Sequence, residues 1–455
     1  MLTDRLGHWC EDLAARPLPA EALRAARRAL IDWYAATLPG SVVEPATVLR
    51  RALAEELGHG GARLLPDATP ATMRAAALIN GAAAHTVEFD DIFRWAVYHP
   101  GVAVIPAALA VAESARIAPL RFLTAIVAGY EVSTRIGAAV SPAHYEFWHT
   151  TGTVGSFGAA AAASVALGLD GARTGHALAS VATMAAALQQ AFRSDAMSKP
   201  MHAGRAAEAG VLCALGAREG LTGAREMLEG PRGFGRAMAG EVDWEAALAD
   251  LGERWNIARM TVKNHGCCGH TFAALDALIA LREAHGLRAE DVERIHVGSY
   301  QKAVEITGDA EPETAYQAKF SLPFCAATAL VHGRVRLDAF TPERIADPVL
   351  RRLARKITVT VDDEAQAAFP GRRSARVEVL RTDGSRLSHH APTRKGDPDA
   401  PLTDAELVDK FEELAFPVLG EARARRLLAR LQTLETVSDM AALATGADPA
   451  ARAAG

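Results

Sequence analysis

The sequence predicts a mainly α protein. A large all-helical domain covers residues 1–265, a smaller α+β domain covers 266–401, and a last segment, 402–455, returns to the helices. Three observations predict this division. Half of the 455 residues are hydrophobic but only 6% are aromatic, so the core is built from Ala, Leu and Val, which lets helices pack closely. From Met1 to about Arg259 apolar residues recur at helical spacing, with no alternating strand pattern. Past Leu287 the period changes to two.

In chain order, Pro19-Ala20-Glu21 opens a helix with Pro and an acid in its first turn, and Leu23, Ala26, Leu30 and Tyr34 give it an apolar face. Thr69-Pro70-Ala71-Thr72 opens a helix expected to run through His85. Ile105–Ala115 and Leu120–Ile136 read as further apolar helices. In the second domain, Val292–Gly298, Ile357–Val361 and Ala375–Leu380 alternate like strands, and Asp383-Gly384 signals a hairpin. Helical segments near Phe272–His285 and Phe320–His332 lie before and between them. Gly396–Pro401 reads as a linker, and helix resumes at Thr403.

The formal net charge of -5 argues against a general nucleic-acid or anionic-membrane surface, though not against an anionic small substrate. Five cysteines, two of them adjacent (Cys267, Cys268), point to reduced thiols and a cytoplasmic protein. The N-terminus has no signal-peptide pattern, and no apolar run is long and uncharged enough to span a membrane.

Chemistry concentrates in a few stretches. Asn80–Asp91 begins as an Ala-rich helix suited to burial and ends in His85, Glu88, Asp90 and Asp91, with His99-Pro100-Gly101 soon after. Charged groups there are costly to bury unless paired or used. On a continuing helix His85 and Glu88 would share a face and could hold a metal, relay a proton, or simply pair. His149-Thr150-Thr151-Gly152-Thr153 precedes an Ala/Gly-rich helix, whose N-terminal N–H groups suit a carboxylate or phosphate; ordinary Thr capping is the alternative. In Ser198-Lys199-Pro200-Met201-His202, a Lys in a helix's first turn opposes the helix dipole, so an anion should compensate it. Lys263 and the His265-Gly266-Cys267-Cys268-Gly269-His270 run sit at the change of pattern. Adjacent cysteines do not match usual zinc spacing, so Lys263 as a cationic binder is preferred to a metal there. Lys319 and Ser321 start a helix, as a site or as a plain cap.

Taken together these segments resemble the MmgE/PrpD family over nearly the whole chain. The resemblance rests on Asn80-Gly81 to Asp91, His99-Pro100, His149 with Thr153-Val154-Gly155, Ser198–Gly204, Lys263 with His270, Lys319-Phe320-Ser321 and Gly396-Asp397-Pro398. It implies a helical domain built from both chain ends, a smaller α+β lid and a homodimer. It also implies action on short polycarboxylates without cofactor or metal, as in 2-methylcitrate dehydratase, cis-aconitate decarboxylase and iminodisuccinate epimerase. Asp90 or Asp91, His99, His149, Lys199 and Lys263 are the residues it implies for the pocket. Two positions depart from the pattern: Glu88 replaces the usual Asp, and Ile92 stands where Thr or Ser often follows the acidic pair.

The expected function is therefore a metal-independent lyase that binds a di- or tricarboxylate between domain and lid. Lys199, Lys263 and helix N-terminal amides would hold the carboxylates and stabilise the carbanion-like charge that develops beside one of them. His99 or His149 would move the proton, with Asp90 in support. Glu88, Asp91, Thr150, Thr153, His202, Lys319 and Ser321 complete the expected binding set. Dehydration of the 2-methylcitrate kind ranks first, with epimerisation and decarboxylation as alternatives. A non-catalytic helical binding protein is the rival of another class.

Overall fold

The structure is a computed structural model that describes residues 1–193, 196–437 and 440–443. Two compact units are present: Met1–Met260 joined by the described residues from Thr403 onward, and Thr261–Leu402.

The first unit is helical. Its main elements are α1 (Leu2–Ala14), α2 (Ala20–Ser41), α3 (Ala46–Ala52), α4 (Met73–Ala84), α5 (Gly101–Ala115), α6 (Pro119–Val140), α7 (Thr150–Leu167), α8 (Gly171–Ala182) and α9 (Ser198–Arg218), followed by shorter helices. Asp404–Leu419 and Glu421–Gln432 return to this unit and pack on α2. Small residues let the central helices touch backbone to backbone. A Cβ at Gly204 of α9 would stand 2.1 Å from the Leu78 carbonyl oxygen of α4, and one at Gly81 would stand 2.9 Å from the Cα of Gly204. That approach explains how a core so poor in aromatic rings still closes.

Two sequence expectations change here. A short antiparallel hairpin, β1 (Leu57–Leu64) with β2 (Thr69–Ala71), lies in the half read as wholly helical. Gly58, Gly60 and Gly61 erase the alternation that would announce it, and only the end of β1 is buried. The Asn80 side chain ties α4 to this hairpin, accepting from the Leu65 N–H (3.1 Å) and donating to the Arg63 carbonyl (2.9 Å). Helix α4 starts at Met73, with the Thr72 hydroxyl accepting from the Ala75 N–H, and it stops at Ala84. His85 is thus the residue that ends α4, and the chain beyond it is loop until α5.

The second unit is the α+β part. Its four-stranded sheet runs in the order β4 (Ile357–Val361), β3 (Val292–Ser299), β5 (Ala375–Arg381), β6 (Arg386–Ala391), with β3 and β4 parallel and the other pairs antiparallel. Ile295 and Val297 of β3 and Val377 and Val379 of β5 are buried, forming one core with Phe272, Leu275 and Leu278 of the Phe272–His285 helix and Phe324 of Leu322–His332. Gly384, at φ +84°, turns the β5–β6 hairpin where Asp-Gly predicts it. Among the described residues, no helix is long and apolar enough to cross a membrane.

Candidate active site

The site of the first unit is assembled by three chain segments: the loop from His85 to Pro100, the start of α7, and the start of α9. His85 ends α4, His149 immediately precedes α7, and Lys199 and His202 occupy the first turns of α9. Four imidazoles gather. The His85 ring lies 4.8 Å from that of His99 and stacks at 5.4 Å on that of His149. His149 in turn has its Nδ1 3.2 Å from Nδ1 of His202.

Asp90 links two of these rings. Its Oδ2 is 2.8 Å from His85 Nδ1 and 2.8 Å from His99 Nδ1. His85 Nε2, the ring nitrogen not bonded to Asp90, is buried and has no hydrogen-bond partner among the described residues. A buried orphan of this kind is what a ligand or a transferred proton satisfies. His85, Asp90 and His99 offer ligand atoms within 4.8 Å of one another, so this is also where a metal ion could be held; the His85 contact with Asp90 is a hydrogen bond, whereas His99 Nδ1 lies as close without the alignment of one.

Glu88 lies on the other side of Phe89 and forms an ion pair with the Lys199 ammonium. The dipole conflict at the start of α9 is therefore answered inside the protein, by a carboxylate 111 positions earlier. Glu88 reaches it from a left-handed backbone, φ +61°, rather than from a helix, so the helical spacing of His85 and Glu88 has no counterpart in the fold. Lys199 also lies 5.3 Å from the centre of the Phe192 ring, which meets His149 edge-on at 4.7 Å.

Asp91 has partners of its own. Its Oδ1 accepts from the Gly101 N–H at the start of α5 (3.1 Å), and its Oδ2 accepts from the Tyr130 hydroxyl (2.7 Å). Burial, with the nearby charges of Asp32 and Asp90, pushes this carboxyl up to about 7 despite those two hydrogen bonds. Burial likewise holds His149 well below its ordinary range, helped by the charges of His85, Lys199, His202 and His99, so it stays neutral near pH 7. His202 is lowered to about 4, by burial first and then by His85 and Lys199. Burial thus keeps His149 and His202 uncharged beside a lysine, an arrangement able to bind carboxylates and pass protons.

The other predicted residues are placed as follows. Thr150 is fully buried in the first turn of α7, and the Thr153 hydroxyl pairs with His144 Nε2 at 2.7 Å. Lys263, Lys319 and Ser321 belong to the second unit. Lys263 is buried, and Lys319 lies 5.9 Å from the Phe340 ring centre. Ser321 caps the Leu322–His332 helix, accepting from the Phe324 N–H. The residues weighed for zinc have separate partners: His265 pairs with Asp276 (3.0 Å), His270 with the Tyr300 hydroxyl (2.7 Å) and Cys267 with Thr271 (3.2 Å).

The sequence reading does not find Asp32, Tyr130 or Lys410. Lys410 Nζ donates to Asp32 Oδ1 (2.5 Å) and to the Phe89 carbonyl (2.8 Å), all buried against the acidic loop. The available signal was a Lys and an Asp inside otherwise apolar helix faces.

Comparison with known proteins bears on this geometry. The MmgE/PrpD N-terminal domain matches residues 4–247, and the MmgE/PrpD C-terminal domain matches residues 265–436. The chain belongs to the MmgE/PrpD family. It is similar to a cis-aconitate decarboxylase-like protein of Aspergillus oryzae, at 29% identity over 97% of this chain and 96% of that one. Cis-aconitate decarboxylase of Aspergillus terreus is 24% identical over 97% and 95% of the two chains. Cis-aconitate decarboxylase of Homo sapiens is 27% identical over 81% and 78%. As an MmgE/PrpD member with these relatives, the chain is a lyase-type enzyme.

Proposed function

We propose that this enzyme removes CO₂ from a short unsaturated tricarboxylate of the cis-aconitate kind. The observation that carries the reading is the convergence of Lys199 with His85, His99, His149 and His202 beside Asp90 and Glu88. The relatives spanning nearly the whole chain carry decarboxylase names, which favours this reaction over the dehydration that the sequence alone ranks first.

In the proposed reaction a substrate carboxylate takes the Lys199 ammonium from Glu88. The bond from carbon to the departing carboxyl breaks, and its electron pair stays on carbon, spread into the neighbouring double bond and carboxylate. A fixed cation stabilises that charge more than it stabilises the ground state. A protonated imidazole, His99 with Asp90 behind it, then returns a proton to carbon. His149, kept neutral by burial, is suited to accept a hydrogen bond or a proton.

The test is an NMR-monitored incubation of the purified protein in deuterium oxide with cis-aconitate, 2-methylcitrate, citrate and iminodisuccinate, each alone. CO₂ loss from cis-aconitate with deuterium entering the product supports the reading. Alkene formation from 2-methylcitrate alone would reassign the enzyme as a hydro-lyase, and deuterium exchange into iminodisuccinate alone as an epimerase.

A further inference from the structure

We infer that Lys410 and Asp32 are positioning residues for the acidic loop, so that the Asp404–Leu419 helix takes part in catalysis as well as in the fold. Lys410 donates to the carbonyl of Phe89 at 2.8 Å, lies 4.5 Å from the centre of its ring, and pairs with Asp32 of α2 at 2.5 Å. Lys410 and Asp32 are each only 1% exposed, and Phe89 is fully buried. Phe89 stands between the two carboxylates that matter: Glu88, which engages Lys199, and Asp90, which engages His85 and His99. Fixing its ring and its carbonyl fixes the peptide that separates them.

A buried ion pair is weak evidence for stability, because well-packed apolar side chains do as well. Holding one arrangement among several is the better-attested use, and this loop needs holding. Glu88 at φ +61° is in a region that non-glycine residues populate sparsely and keep only when the surroundings over-determine it. Asp91 anchors one end of the loop on Gly101 and Tyr130, and Lys410 supplies the anchor beside Glu88. Lys410 holds the Phe89 carbonyl, so its effect passes through the backbone of the loop.

This rests on the reading of the 85–99 loop as catalytic, and the experiment separates the two. Four variants are compared: K410M, K410R, D32N and the double variant D32N/K410Q. Removing one partner leaves a buried charge unmatched, so K410M and D32N lose both stability and turnover. The double variant removes both charges together. Its unfolding midpoint is expected to return close to wild type while kcat stays about 10²-fold low, the scale of a misplaced catalytic group, with KM changed far less. K410R, which keeps the cation and its donors, recovers more kcat than K410M. A crystal structure of D32N/K410Q is expected to show Asp90 withdrawn from His99 and Glu88 from Lys199. If kcat returns with stability in the double variant, or the loop superimposes on that of the wild type, positioning is refuted. If the wild-type protein turns over none of the polycarboxylates, the functional reading fails by itself, and the crystal structure still decides the positioning role.

Discussion

Replacing Lys199 by Met leaves the Glu88 carboxylate buried without its counter-charge. Both side chains of the pair are only 9% exposed. Breaking a buried pair from one side costs about 3–5 kcal/mol, and with some solvent contact remaining the lower end, about 3 kcal/mol, applies here. The double variant E88Q/K199M buries two neutral groups instead, so it should unfold within about 1 kcal/mol of wild type. The single variants and the double then give a coupling energy of about 2 kcal/mol or more, read from urea midpoints at constant slope. Catalysis should follow a different order. Both K199M and the double variant lose the cation that holds the developing charge, so each should fall about 10²- to 10³-fold in kcat. E88Q alone keeps that cation and removes its internal competitor, so it should lower KM for the polycarboxylate. A coupling energy near zero would refute the buried pair, and K199M retaining more than about a tenth of wild-type kcat would refute its catalytic role.

Three further outcomes are expected. Asp91 keeps its proton in the folded state up to about pH 7, whereas the unfolded chain loses it near pH 3.8, so this residue costs stability as pH rises through that window. The stability of wild type minus that of D91N, from urea titrations at pH 5 and pH 7, should therefore fall with rising pH, by up to about 1.4 kcal/mol per pH unit; a flat or rising difference would contradict the burial argument. His202 carries the opposite sign: lowered to about 4, it is uncharged in the fold where the unfolded chain binds a proton, so H202Q should lose less stability than wild type between pH 6.5 and pH 4. In G204A the new Cβ would meet the Leu78 carbonyl at 2.1 Å, forcing α9 from α4. The variant should lose about 3 kcal/mol in denaturation and most of its turnover, because these helices carry Lys199 and His85; unchanged turnover would disprove the close approach.

How much of this was legible depends on the range of the interaction. The strands of the second unit read well because Val292–Ser299 and Ala375–Arg381 bury alternate residues, and alternation is local. The α9 start announced its own need for an anion through the placement of Lys199. Its answer, Glu88, could not be read, since the pairing joins distant segments through one left-handed residue. Helical spacing suggested that His85 acts with Glu88; the end of α4 at Ala84 gives His85 to Asp90 instead. Lys410 and Asp32 stand as charges within apolar helix faces, but their pairing joins positions 378 apart, which no local pattern marks. The β1–β2 hairpin escaped for the reverse reason: glycines and exposure removed the pattern that burial imposes.

The central claim is that Lys199 receives a substrate carboxylate that displaces Glu88 beside the imidazoles. A crystal structure of the wild-type enzyme with a saturated tricarboxylate, which has no double bond to react, tests it directly. A carboxylate oxygen within hydrogen-bond distance of Lys199 Nζ, with Glu88 moved off and His99 or His149 facing the ligand, is the expected result. A ligand bound elsewhere, with the Glu88–Lys199 pair intact, would contradict the account.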